Sequence, residues 1–421
     1  MTAGTTGEMH PAPDAPDTDV LKRQLQRANR VARWKALGLV APLLIFLLVT
    51  FVVPIFSMLT RSVHSPVFGD IFVETAQVIG EWDGTGLPDE TIYAALVADM
   101  RQARADRTIG QAATRLNYDV PGTRSLLTRS ARRADRLEAP YSVSLPALDD
   151  RWADRTIWAA IKRVSSPVTA TFYLAALDRQ FDADGSIVLA PEDQRLYVRL
   201  FWRTLLVSAL VTVLCLLLGF PIAYLMAHLP PARANLLMIL VLLPFWTSLL
   251  VRTTAWIAIL QTEGVLNDVF VWLGIVSDDG RVQLIYNQIG TIIAMTHILL
   301  PFTVLPLYAV MQGIPPSLTR AAISLGATPA RAFTRVYLPL TTPGIGAGAV
   351  FVFILAVGYY ITPALVGGRT GQLISNFIAF HMQESLNWGL AAALGAVLLA
   401  AVLLLYWLYD RLVGVDNMRL G

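Results

Sequence analysis

Arg252 and His297 stand well inside long apolar stretches, and two prolines gather hydroxyl and aromatic neighbours. Trp246, Thr247 and Ser248 follow Pro244, while Tyr360 and Thr362 precede Pro363. A proline inside a helix frees a carbonyl and kinks the axis. Each cluster therefore offers ring faces, hydroxyls and a free acceptor, which suit weak and reversible contact with a polar solute. Arg252 falls in the second half of its stretch, where a long side chain either snorkels as an anchor or lines a path. His297 has two readings as well, a helix-to-helix hydrogen bond or a ligand contact.

Chemistry of other kinds finds no residues to carry it. The sequence contains no Walker A run, no HExxH, no GxSxG, and no carboxylate in the interior of an apolar stretch that could relay protons. Cys215 is the single cysteine, so a disulfide framework is excluded and thiol or metal chemistry is not expected. Gly344, Gly346 and Gly348 resemble a phosphate loop only superficially. They open an apolar stretch, where small residues let helices approach. No cofactor or metal is expected in this chain, and it cannot hydrolyse ATP itself.

The elements that position these residues follow from composition. Hydrophobic residues make up 55% of the 421, charged residues 15%, and the mean hydropathy is +0.55, too apolar for a soluble chain of this size. Apolar windows long enough to cross a bilayer predict six helices, over 36–59, 200–227, 236–260, 289–311, 342–366 and 390–409. The expected class is an all-α integral membrane protein. Lys22, Arg23, Arg27, Arg30, Arg33 and Lys35 crowd the front of the first span and put the N-terminal tail, 1–35, in the cytoplasm. Six crossings return the C-terminal tail, 410–421 with Arg411 and Arg419, to that side. The apolar run of the first span is too long, and its polar leader too extended, for a cleavable signal peptide. Residues 1–18, rich in Pro, Asp, Gly and Thr, read as disordered. The first outside loop, 60–199, is too long to be structureless, and helical periodicity over 91–113 and 150–177 predicts a small, cysteine-free helical domain. The core region, 200–409, holds the other five spans.

One cytoplasmic loop, 313–341, carries a polar, helix-breaking island at 320–339. Ser317 is expected to cap a short helix with Leu318, Ala321, Ala322 and Leu325 along one face, and Gly326 to end it with a positive φ. Thr328 and Pro329 then start a second helix, with Ala332, Phe333, Val336 and Tyr337 on one side and Pro339 as its stop. Two small alanines invite close approach by another protein, and Arg331 and Arg335 can meet its acidic groups. The alternative is an amphipathic hairpin lying on lipid headgroups.

Ala321-Ala322, Gly326, Val336 and Leu338-Pro339 at this spacing resemble the EAA loop of permeases in ATP-binding-cassette importers, with Arg320 where Glu is usual. LLPFWTSLLVRTTAWIAIL from 242, the run from Tyr286 to Pro315, ITPALVGG from 361 and ISNFIAFHMQESLNWGLAAALG from 374 are similar to spermidine/putrescine-type permeases. The resemblance covers most of 200–409 and leaves out the insertion. It implies a bacterial inner-membrane permease subunit whose EAA loop docks a dimeric cytoplasmic ATPase, which binds the ATP and Mg. It further implies a second permease chain or copy, a periplasmic solute-binding protein, no nucleic acid, and a polyamine or related amine as cargo. For a polycation, aromatic faces supply attraction without a buried carboxylate. A sensor that relays ligand binding through the membrane is a rival class, although no kinase, cyclase or receiver segment follows the last span. A secondary transporter is another, disfavoured by the missing intramembrane carboxylates.

Overall fold

A computed structural model describes residues 18–413. The expected disorder of the first seventeen residues, the side chains of Lys22 and Arg23, and Arg419 lie outside the described residues. The chain forms two units, 1–58 and 59–421. In the first, Thr18–Leu47 continues through a π-helical turn, Leu48–Val52, into Val53–Arg61. The π turn sits just before Pro54, which has no N–H to give the ladder, and the Thr50 hydroxyl donates to the Phe46 carbonyl at 2.7 Å.

In the second unit, Tyr197–His228, Gln288–Gln312 and Thr342–Gly358 pack on one another. Val207, Val211, Cys215, Met295, Leu299, Val352 and Ala356 fill the seam. Gly344 and Gly348 allow close approach: a Cβ would lie 3.2 Å from the backbone of Leu307 at the first and 3.3 Å from that of Thr303 at the second. The glycine triplet is thus a packing surface, buried at Gly344, Gly346 and Gly348. The last long helix is Trp388–Val413. Tyr197–His228 has 32 residues; at about 1.5 Å per residue it outreaches a hydrocarbon core of about 30 Å.

Two of the expected spans are not single helices. Pro231–Trp246 and the segment Leu249–Trp272 meet at 98°. Pro244 weakens the ladder, Thr247 is extended with φ −97° and ψ 146°, and the Ser248 side chain accepts from the Val251 N–H to begin a new helix. The fifth span breaks at Tyr359-Tyr360, between Thr342–Gly358 and Ile361–Val366. Among the described residues, four helices are long and apolar enough to cross a membrane, or up to six if each bent pair counts as one span.

The insertion is mostly helical around one core in which Tyr93, Trp152 and Trp158 are fully enclosed. The expected helical stretch 91–113 is two helices, Glu90–Ala105 and Ile109–Asp119, parted where Arg107 turns to φ +59°. Likewise 150–177 is a 3-10 turn and two helices, Arg155–Ser165 and Thr171–Ala176. A two-stranded hairpin, Arg179–Phe181 with Ile187–Leu189, follows. Its strands are too short for periodicity to reveal.

Two sets of contacts, among others, fasten this domain to the helices of 200–409. Phe172 and Ala176 are buried with Leu200, Ile374, Leu390, Leu394 and Leu398. Asp178, in the left-handed region at φ +55°, accepts hydrogen bonds from the backbone N–H groups of Leu196, Tyr197 and Val198 at 2.9–3.0 Å. A carboxylate there satisfies donors that the start of a helix leaves unpaired and faces the positive end of its dipole.

Candidate functional site

The island folds as a helical hairpin. Pro316–Ser324 forms the first helix, and its N-cap position is Pro315 with no side-chain cap, so Ser317 does not cap it. Two consecutive prolines start the helix two residues earlier than a serine cap at 317 would require. At the other end Gly326 has φ +93°. Its N–H bonds to the Ile323 carbonyl at 2.9 Å and the Ala327 N–H to Ala322 at 3.0 Å, the paired bonds of a Schellman turn. Thr328 accepts from the Arg331 N–H at 3.4 Å and Pro329 opens the second helix.

Pro339 does not stop that helix. The chain stays helical through a π turn, Phe333–Tyr337, to Leu340, and bends by 57° before Thr342–Gly358. The π turn lies just before Pro339, as it does before Pro54.

Burial divides the hairpin into an anchored side and a free side. Ala332 and Tyr337 are buried, while Phe333, Val336 and Leu338 are half-buried. Tyr337 meets Tyr224 edge-on at 5.3 Å and His228 at 5.6 Å, and Phe333 lies edge-on to Tyr224 at 5.8 Å and to Phe220 at 6.2 Å. Phe220, Tyr224 and His228 recur every fourth residue at the end of the helix Tyr197–His228. That spacing was the available sequence signal for a second aromatic stripe. The free side carries Leu318, Ala321, Ile323 and Leu325, with Leu325 89% exposed. Ala322 is half-buried; Arg320, Arg331, Arg335 and Pro339 are exposed. None of the three arginines has an ion-pair partner among the described residues.

Residues singled out for a path fall into two groups. Trp246, Thr247 and Ser248 are exposed at the break in the third span. Thr247 donates to the Pro244 carbonyl at 2.9 Å, the acceptor that such a break sets free. Trp256 donates from its indole N–H to His297 Nδ1 at 3.1 Å, linking two helices. Arg252 is half-buried, with its Nε enclosed and without a hydrogen-bond partner. Thr362 is fully buried and its hydroxyl lies 3.4 Å from that of Thr253. Tyr360 is 40% exposed at the break in the fifth span.

That second break is held by groups the sequence did not mark. Ser375 donates to the Tyr359 carbonyl at 2.7 Å and the Asn376 amide to the Tyr360 carbonyl at 2.8 Å. Both come from the short helix Ile374–Gln383, so the carbonyls freed by the break are paired. On the same helix His381 Nε2 lies 2.8 Å from the Tyr197 hydroxyl and its Nδ1 2.8 Å from Ser385 Oγ. Burial holds the His381 pKa below its usual 6.5.

These features define a multi-span α-helical membrane protein with broken helices at its candidate path and a hairpin whose free side is apolar, basic and exposed. Residues 219–414 match the family of binding-protein-dependent transport system inner membrane components. The spermidine/putrescine transport system permease protein PotB of Haemophilus influenzae is 37% identical over 216 residues, 51% of this chain and 75% of that protein. PotB of Escherichia coli (strain K12) is 35% identical over 220 residues, 52% of this chain and 79% of that one. Among solved structures, a bacterial alginate ABC transporter in complex with an alginate pentasaccharide-bound periplasmic protein aligns at 22% identity and TM-score 0.44, covering 53% of this chain and 80% of that chain. The chain belongs to the binding-protein-dependent inner-membrane transport family and is a permease subunit of an ABC importer. The family match begins after the insertion, which is additional to it.

Proposed function

We propose that this permease moves a polyamine, such as spermidine or putrescine, or a related amine-bearing solute, into the cell by alternating access driven by a separate ATPase. The observation that carries the reading is the hairpin, with one side locked to the helix Tyr197–His228 by edge-on aromatic rings and the other left apolar, basic and, among the described residues, without an ion-pair partner. A surface of that kind suits a rigid lever seated in another protein. Closure of an ATPase dimer would push on Leu318, Ala321 and Leu325, and Tyr337 and Phe333 would pass the displacement to Tyr224 and Phe220. Packed rings transmit such a shift because they do not deform continuously.

The remaining assembly follows from the same reading. A second permease, identical or not, completes the path against the exposed faces of the broken third span, and a periplasmic binding protein delivers the cargo. The substrate class rests on the relatives named PotB. The basic front of the first span supports cytoplasmic termini and an outside insertion.

Crosslinking tests the socket. A photoreactive residue at Leu325 should capture the ATPase subunit in the assembled transporter, whereas one at Val143, an exposed residue of the insertion, should not. Capture from Val143 with none from Leu325 would remove the hairpin as the ATPase seat.

A further inference from the structure

Beside the break in the fifth span lies a cavity of about 470 Å³ with a mixed aromatic and polar lining. Tyr360, Phe377 and Phe380 give it ring faces, Gln372 and Gln383 give it amides, and Glu384 gives it a carboxylate. No lysine, arginine or histidine lines it. Its volume is that of a small-molecule site. Resting on the polyamine reading above, we propose that this cavity is a cargo-binding site for an organic ammonium, with Glu384 as its counter-ion and Tyr360 and Phe380 as its cation-attracting faces.

Three observations carry the assignment. First, Glu384 is exposed and enters no ion pair among the described residues, whereas Asp268 and Asp278, at the other outer loop, are both held by Arg281 at 2.8 Å. A free carboxylate among aromatic rings is the arrangement that attracts an ammonium ion, through charge-assisted hydrogen bonding and the ring quadrupoles. Second, the rings are accessible: Tyr360 is 40% exposed and Phe380 42%. Third, the lining is fixed before any ligand arrives. Ser375 and Asn376 pin the carbonyls of Tyr359 and Tyr360, and the Asn376 side chain also accepts from the Leu373 N–H at 2.9 Å, so the ring-bearing break and the helix Ile374–Gln383 form one rigid wall. Preorganisation of this kind lowers the ordering cost of binding.

The site also answers a difficulty in the path. Arg252 is a half-buried cation whose Nε is enclosed without a hydrogen-bond partner, and a polycation needs compensating negative charge to approach it. Glu384 provides that charge at the outer end of the fifth span, where a binding protein would release its cargo. Amides beside it give the secondary and terminal amines of a linear chain further acceptors.

The test uses the complete transporter in proteoliposomes with its binding protein, saturating radiolabelled spermidine and internal ATP. Glu384→Gln should lower the uptake rate about tenfold, Glu384→Asp should recover most of it, and Phe380→Ala should lower it severalfold. Glu384 makes no bond that folding needs, and normal co-purification of all subunits checks that. Wild-type rates in Glu384→Gln and Phe380→Ala, alongside robust wild-type spermidine uptake, would overturn the site and leave the substrate class standing. Wild-type transporter that moves no spermidine or putrescine would overturn the substrate class, and this site with it.

Discussion

Substitution of Gly326 separates a backbone cost from every other effect of a mutation in the hairpin. At φ +93° the residue sits where an L side chain is strained, yet a Cβ built on it meets nothing within 4 Å. The whole penalty is therefore conformational, about 1–2 kcal/mol for alanine, less for asparagine, which tolerates the left-handed region, and more for a β-branched residue. Each 1.4 kcal/mol is roughly a factor of ten in the ratio of the native turn to its competitors. The turn closes through the Gly326 and Ala327 N–H groups, so a re-formed turn would tilt the first helix away from the aromatic anchor on the second. Uptake and ATPase co-purification should fall in the order Gly326→Asn, Gly326→Ala, Gly326→Val, with valine abolishing transport while membrane insertion is intact. Full transport and normal co-purification by Gly326→Val would refute the reasoning, since the strain is certain and only the importance of the turn would remain to be wrong.

Other consequences are checked more simply. Cys215 is fully buried, so a cysteine at exposed Thr85 should react with an impermeant thiol reagent from outside intact cells and one at Thr328 only after permeabilisation; the opposite pattern would invert the topology. Asp178→Ala leaves three backbone donors without their acceptor and should destabilise the detergent-solubilised protein by about 2 kcal/mol, read as a lower midpoint in thermal unfolding; an unchanged midpoint would dismiss the cap. Because burial depresses the His381 pKa below 6.5, the unfolded chain binds more protons than the folded one just below that pH. Its contribution to stability should be complete above about pH 6.5 and be lost as pH falls through the folded value. His381→Gln should flatten that part of the stability profile, and an equally steep profile in the variant would assign the acid sensitivity elsewhere.

Much of this architecture is written in local pattern. Apolar runs mark every membrane segment, and Gly326, Thr328 and Pro329 announce the hairpin because φ, capping and a missing N–H are properties of single residues. Ser317 misled because two prolines beside it fix the helix start instead. The Pro244 kink was visible, but not the 98° turn, which needs Ser248 to cap a new helix and the neighbouring helices to hold it there. Arg107 and Asp178 escaped notice because a left-handed arginine or aspartate has no pattern of its own; tertiary contacts impose it. No sequence pattern marks Glu384, and only the fold shows that it lines one cavity with Tyr360 and Phe380 and has no ion-pair partner among the described residues.

The most direct measurement reconstitutes this chain with an ATPase, a second permease chain or copy and a binding protein, and follows radiolabelled spermidine into proteoliposomes. Accumulation against a gradient should require ATP on the side of the hairpin and the binding protein on the side of the insertion. It should stop when the ATPase is inactivated. Accumulation driven by a proton or sodium gradient alone, without ATP or binding protein, would contradict the account.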